Sequence, residues 1–286
     1  MFKTKEVRDL AWVIKSPVLL NISSSDVEWL SDSYFEKEYE RLKPKLVELD
    51  KTPQVLIDHL DSKSPRLGHY FENLWAFYIQ HFSDYEIVFR NKQIFKNKQS
   101  IGELDLVLYD QQNDQYIHME LALKFYLAYG VLSSYSHFHG PNLNDRLDLK
   151  YNHLMNKQIR LTERNETKAF LSEHNISITK RIIVMKGRLF YRQNDFNECQ
   201  SINPNHEKSI WLTHSEFKKV AEYQSMNWQI LKKKSWISTE DEEAEIHNAE
   251  NLLKMANQSV YIRSTGKNSV SFILVTDDWL EELSQK

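Results

Sequence analysis

The chain has 286 residues, 41% hydrophobic and 27% charged, which excludes a disordered polymer because there is enough apolar area to offset the entropy of ordering. A single cysteine, Cys199, excludes an internal disulfide framework and a Cys-rich zinc site, and fits a reducing compartment. The net charge of -3 lacks the basic surplus of a dedicated polyanion binder, so nucleic-acid contact would need a local patch or a bound cation.

No apolar run approaches the roughly 18 residues that cross a bilayer. The strongest run near the start, Leu10–Ile14, is broken by Lys15 and Pro17. Nothing there has the order basic region, apolar core, small-residue cleavage site, so we expect a cytoplasmic protein without membrane association. Residues 1–50 read as helical, with Ser23–Asp26 as a helix start and Pro17 and Pro53 as breaks. Leu67, Phe71, Leu74, Trp75, Tyr78 and Phe82 recur with helical period, and Glu72 lies at the edge of their stripe.

The period then falls to two. Tyr85–Arg90 with Gln93–Phe95, Ile101–Tyr109 and Gln115–Leu127 read as three strands in an antiparallel meander, the last two joined by a polar turn over Asp110–Asp114. A loop over Tyr135–Pro141 precedes a helix expected from about Asn144 to Glu163, and Lys180–Met185 reads as a fourth strand. Farther on, Trp211–Phe217 reads as the start of a short helix and Ala244–Met255 as helical. Val260–Arg263 and Val270–Val275 flank a hairpin turn over Ser264–Asn268. The expected division is an N-terminal helical extension over residues 1–60, a core over 61–190 and a C-terminal region with a β-hairpin over 191–286.

Alternation places Glu103, Asp105 and Val107 on one face of the second strand, and His118, Glu120, Ala122 and Lys124 on one face of the third. Asp105 and Glu120 thus share a face among apolar neighbours. Unpaired buried charge costs several kcal/mol unless it is neutralised or holds a metal. An all-carboxylate pair is hard-oxygen ligation suited to Mg²⁺ or Mn²⁺. With Lys124 beside it, such a pair suits phosphodiester hydrolysis, in which metal and lysine offset the growing negative charge.

These residues carry a resemblance. Glu72, Gly102–Asp105 and Glu120–Lys124, in the order helix, three strands, helix, strand, resemble the PD-(D/E)XK nuclease superfamily. Val7–Trp12 with Ser16–Pro17, Arg66–Trp75, Gly102–Asp105 with Glu120–Tyr126, and Gly140–Pro141 with Asp145–Lys150 resemble the bacterial domain-of-unknown-function family 1853. The resemblance implies an α/β (or α+β) fold with a restriction-endonuclease-like core, a mixed sheet flanked by helices, and a metal-dependent nuclease acting on DNA. It makes Asp105 and Glu120 ligands of Mg²⁺ or Mn²⁺, with Glu72 a further ligand or a holder of water. The superfamily's lysine stands two residues after the second acid, where this chain has Ala122. Lys124 lies about 6–7 Å farther along the same face and would position the nucleophile. Gln158 matches a glutamine that some of these nucleases place near the metal. The alternative is a catalytically inactive nuclease-like module that binds nucleic acid or a protein partner, the C-terminal region being a further protein-binding surface. A third reading is an acidic pair without a ligand.

Other residues read as structural. His137 and His139 share a loop but lack a third ligand, His118 reads as packing, Glu103 as a surface group and Cys199 as inert. Basic residues gather at Arg90, Lys92, Lys96 and Lys98, at Lys180, Arg181, Lys186 and Arg188, and at Lys232–Lys234 near Trp228 and Trp236. Interleaved aromatic and basic residues can bind single strands by stacking and charge.

Overall fold

Helix α1 (Lys5–Lys15) buries Val7, Leu10, Ala11, Val13 and Ile14 along one side and stops before Pro17, which cannot continue it. The computed structural model describes residues 2–61, 64–130, 132–192, 199, 201–266 and 268–285. After α1, Leu19 donates its N–H to the Met185 carbonyl, and β1 (Glu28–Trp29) pairs parallel with Ile182 and Ile183. The helix start expected at Ser23–Asp26 is therefore corrected. Glu28 and Trp29 pair as a short strand between buried Val27 and Leu30, and the next helix, α2 (Asp32–Lys51), is capped by Ser31. α3 (Gln54–Leu60) follows Pro53, and α4 (Leu67–Phe82) forms where the apolar stripe predicts.

The meander is also as expected: β2 (Tyr85–Lys96), β3 (Gln99–Asp110) and β4 (Gln115–Ala128) pair antiparallel. Asp110 closes the β3–β4 turn by accepting N–H groups from Gln112 and Asn113. β5 is the short Phe138–His139. The single helix expected over 144–163 is corrected. It is broken into α5 (Leu147–His153), a π turn over Leu154–Gln158 closed by Ile159 N–H to Leu154 O at 3.0 Å, and a 3₁₀ turn over Leu161–Glu163. A polar helix not foreseen from the sequence, α6 (Asn165–Glu173), comes next, and then β6 (Ile178–Tyr191).

The remaining elements are β7 (Glu207–Thr213), α7 (His214–Lys219), α8 (Ala221–Ser225), β8 (Asn227–Ile230), β9 (Ile246–Asn248), α9 (Ala249–Met255), β10 (Val260–Ser264), β11 (Ser271–Val275) and α10 (Trp279–Ser284). Trp211 lies on a strand and not in a helix. Helix α7 starts only after Thr213, whose side chain forms a capping box with Glu216. Ala244 likewise precedes a short strand, and helix α9 begins at Ala249. The hairpin of β10 and β11 pairs Val260–Arg263 with Ser271–Leu274 as expected, while Lys267 in its turn lies outside the described residues.

The fold is mixed α+β, with a large mixed sheet flanked by helices. The chain divides into two compact units, Met1–Leu123 with Lys150–Lys186, and Lys124–Leu149 with Gly187–Lys286. In the first, strands run in the order β2-β3-β4-β6 with β1 beside β6. Ile94, Leu104, Val107, Leu161 and Leu171 form part of its core. In the second, β7 pairs parallel with the end of β6 and with β11, and the order continues through β10 and β8 to β9. Trp228, Phe217, Phe272 and Leu252 anchor its core.

Gly187 sits at φ +147, and a Cβ there would collide with the Lys124 carbonyl. Gly68, in the first turn of α4, has nothing within 4 Å. Chemical denaturation should therefore show Gly187→Ala losing on the order of 3 kcal/mol or more, whereas Gly68→Ala should be stabilised by about 0.5–1 kcal/mol.

Candidate functional site

The β3–β4 register sets Val107 opposite His118 and Leu106 opposite Met119. Alternation from that pair brings Asp105 and Glu120 to one face, as expected from sequence. The regular ladder ends there, and side chain–backbone bonds replace it. Leu121 donates its N–H to Asp105 Oδ2 at 2.9 Å, so Asp105 is held by the backbone of the neighbouring strand. The nearby Asp105 N–H favours the ionised form of Glu120.

Both carboxyls are buried, Asp105 9% exposed and Glu120 fully enclosed. Burial pushes Asp105 up to about 8, helped by the Glu120 carboxylate, and the Leu121 N–H opposes the rise. Burial likewise raises Glu120 to about 8, against the Asp105 N–H and the Lys150 ammonium. His118, also fully buried, places Nε2 2.8 Å from Glu120 Oε1, and burial depresses its basicity to about 4. At neutral pH the imidazole is uncharged and neutralises neither acid. The site concentrates negative character that a proton or a cation must balance.

The π turn explains the placement of Gln158. Its Nε2 donates to Glu120 Oε2 at 2.9 Å, and its Oε1 accepts from Lys150 Nζ at 2.7 Å. His153 Nδ1 lies 3.1 Å from the same Oε1. The amide links an α5 lysine to a β4 carboxylate, and Lys150 lowers the proton affinity of both acids. Glu72, on α4, faces the same region: it contributes to the rise of Asp105, accepts from Asn91 Nδ2 at 2.9 Å and lies 3.6 Å from His69 Nδ1.

The structure thus brings Asp105, Glu120, Gln158 and Glu72 into one unit. Lys124 belongs to the other unit, where its Nζ donates to Asp145 at 2.5 Å and shares that carboxylate with the Tyr126 hydroxyl. Glu103 is partly buried, pairs in register with Gln93 and adds like charge near Glu120. His137 sits against the Tyr129 carbonyl and His139 bridges to Arg146, so both serve the loop. Cys199 has only a long contact with the Ser133 carbonyl, 3.8 Å. Two participants lie outside the site residues the sequence offers. His118 reads as packing by sequence, yet it shares a face with Glu120 and lies 2.8 Å from it. Lys150 meets Gln158 through the π turn, for which the sequence carries no signal.

The donor set is two carboxylates, all hard oxygen. Among the described residues no group of three or more His, Cys, Asp or Glu side chains is gathered as a cage. Two carboxylates are by themselves the hard-oxygen donors a Mg²⁺-type cation would need, with water or substrate oxygens in its other positions.

Residues 8–281 match the family described as Domain of unknown function (DUF1853). The chain belongs to the DUF1853 family. No curated protein and no solved structure matches it. The DUF1853 match takes in every residue of the acid site and runs on through both compact units. Among the described residues no helix is long and apolar enough to cross a membrane.

The raised carboxyls set the sign of the pH response. The folded state holds protons that the unfolded state has released, so metal-free stability must fall as pH rises from about 7 through about 8, above the titration of His118. Melting temperatures of wild type and Asp105→Asn in chelator should diverge over that range, with the amide variant the more stable at the upper end. Parallel curves would mean that Asp105 is not a strained carboxyl.

Proposed function

We propose that the chain is a divalent-metal-dependent phosphodiesterase acting on DNA, with a PD-(D/E)XK-like core. The observation that supports it is the pair of buried carboxylates on adjacent strands, whose raised proton affinity marks charge the protein leaves for a cation to balance. The order α4, β2, β3, β4, α5, β6, with the two-residue β5 and the short α6 interposed, supports that reading.

Asp105 and Glu120 would hold Mg²⁺ or Mn²⁺, and Glu72 would hold a water or complete the ligand set. When bound, the cation would supply Lewis acidity and offset charge developing on the phosphoryl oxygens. The remaining work belongs to the chain. The Leu121 N–H fixes the Asp105 carboxylate against rotation. His118, neutral, buttresses Glu120. Gln158 holds Glu120 with its amide nitrogen and Lys150 with its oxygen, fixing a positive charge at the rim of the site where substrate negative charge grows. The position two residues after Glu120 is Ala122, so the lysine role falls to Lys150 or to Lys124. The contacts of Lys150 with the acid network favour Lys150, because Lys124 is engaged with Asp145.

Calorimetric titration with Mn²⁺ should give binding heat in wild type and none in Asp105→Asn. Cleavage of single-stranded, nicked and branched DNA with Mn²⁺ should be abolished in Glu120→Gln and lowered about a hundredfold in Lys150→Ala, with Lys124→Ala close to wild type. Loss in Lys124→Ala alone would return the role to Lys124. Metal binding without cleavage of any of these substrates would replace the enzyme with an inactive nuclease-like module.

A further inference from the structure

The outer end of the β2–β3 hairpin extends beyond its sheet. Pairing of β3 with β4 stops at Leu106 and Met119, whereas pairing of β2 with β3 continues to Lys96 and Gln99. Ile94 is buried against the cluster of Leu104, Val107 and Leu161, which fixes the base of this ribbon. Beyond it Phe95 is 53% exposed, and residues 96–100 are exposed as well. A large aromatic left open to water at a hairpin tip has no role in the core.

The charge is as uneven as the burial. From Arg90 to Gly102 there are four cations and no acid, in a chain whose net charge is -3. Arg90 is engaged with Asn73, Lys92 lies over the Phe170 ring, and Lys96 reaches Glu166 at 2.7 Å. Lys98 has no ion-pair partner among the described residues. Asn97 and Lys98 both have left-handed backbone, at φ 47 and 67, as a two-residue hairpin turn requires. Glycine is the relaxed choice at the second turn position, so the lysine is held there under strain, and it carries a cation to the end of the ribbon.

We propose that this tip grips a nucleic-acid strand with an unpaired base: Phe95 stacks on the base, and Lys98 contacts a phosphate beside it. The place of the grip in a reaction rests on the phosphodiesterase reading, but binding by the tip does not. Ser100, opposite Phe95, is five residues from Asp105 along β3, roughly 17 Å. A strand seated on the tip is therefore within a few nucleotides of the acid pair.

The test is fluorescence anisotropy of the full chain in chelator with a short labelled single-stranded DNA at several salt concentrations. The same sequence as RNA and as blunt duplex serves for comparison. Phe95→Ala should weaken single-strand binding about tenfold, and Phe95→Trp should keep it. Lys98→Gly should raise the melting temperature by relaxing the turn, yet weaken binding and reduce the salt slope by about one. Tighter binding of the DNA or of the RNA strand supports the grip in either case and assigns the sugar. The grip is overturned if wild type does not bind, if Phe95→Ala and Lys98→Gly bind as wild type does, or if blunt duplex is preferred. Tip-dependent binding without cleavage would sink the phosphodiesterase reading and leave the grip standing, and cleavage with tip variants binding normally would do the reverse.

Discussion

Two buried acids stand side by side at the point where the β3–β4 ladder stops, and the surrounding structure follows from how they are accommodated. An isolated buried charge is among the most expensive features a fold can carry, so it persists only with specific support. Here the support is the Leu121 N–H on Asp105, which crosses between the strands, a neutral histidine on one carboxylate oxygen of Glu120 and a glutamine amide on the other. None of these removes the charge. Lys150 is kept one amide away and acts mainly through the field. An arrangement that orients two acids without neutralising them is suited to a cation or a shared proton, and differs from a structural ion pair, in which the lysine would contact the carboxylate directly.

The second unit offers that contrast. Lys124 meets Asp145 directly, both side chains partly exposed, with the Tyr126 hydroxyl on the same oxygen. Within the first unit, Asp9 is a buried acid of the ordinary kind, held by Lys5 at 2.6 Å and by the Tyr70 hydroxyl at 2.7 Å. Buried Lys186 is likewise explained, its Nζ donating to the Ser16 carbonyl over the Phe35 ring. Set against these pairs, the acids at 105 and 120 lack a direct cationic partner among the described contacts.

What was legible in the sequence is what periodicity encodes. Alternation in residues 101–109 and 115–127 put Asp105 and Glu120 on a common face, and register bears that out through Val107 and His118. The stripe from Leu67 to Phe82 marked α4 for the same reason. Departures from regular geometry were not legible. The π turn at Leu154–Gln158 breaks an otherwise plausible helix and gives Gln158 its aim, and no residue pattern announces a widened turn. Ser23–Asp26 carries cap-forming residues that tertiary pairing of β1 with β6 overrides. In the second unit β8 and β9 are too short for period-two alternation to distinguish them from loops or helices, so Ala244–Met255 read as one helix. The DUF1853 match agrees with the motif resemblance, while the nuclease-like core remains our proposal, resting on the acid geometry.

The most direct test of the central claim is a crystal of the wild-type chain soaked in Mn²⁺ and measured for anomalous scattering. The account predicts a single strong peak in contact with carboxylate oxygens of both Asp105 and Glu120, absent from crystals of Asp105→Asn. A difference map with no peak there, and with Lys150 bonded directly to Glu120, would contradict it.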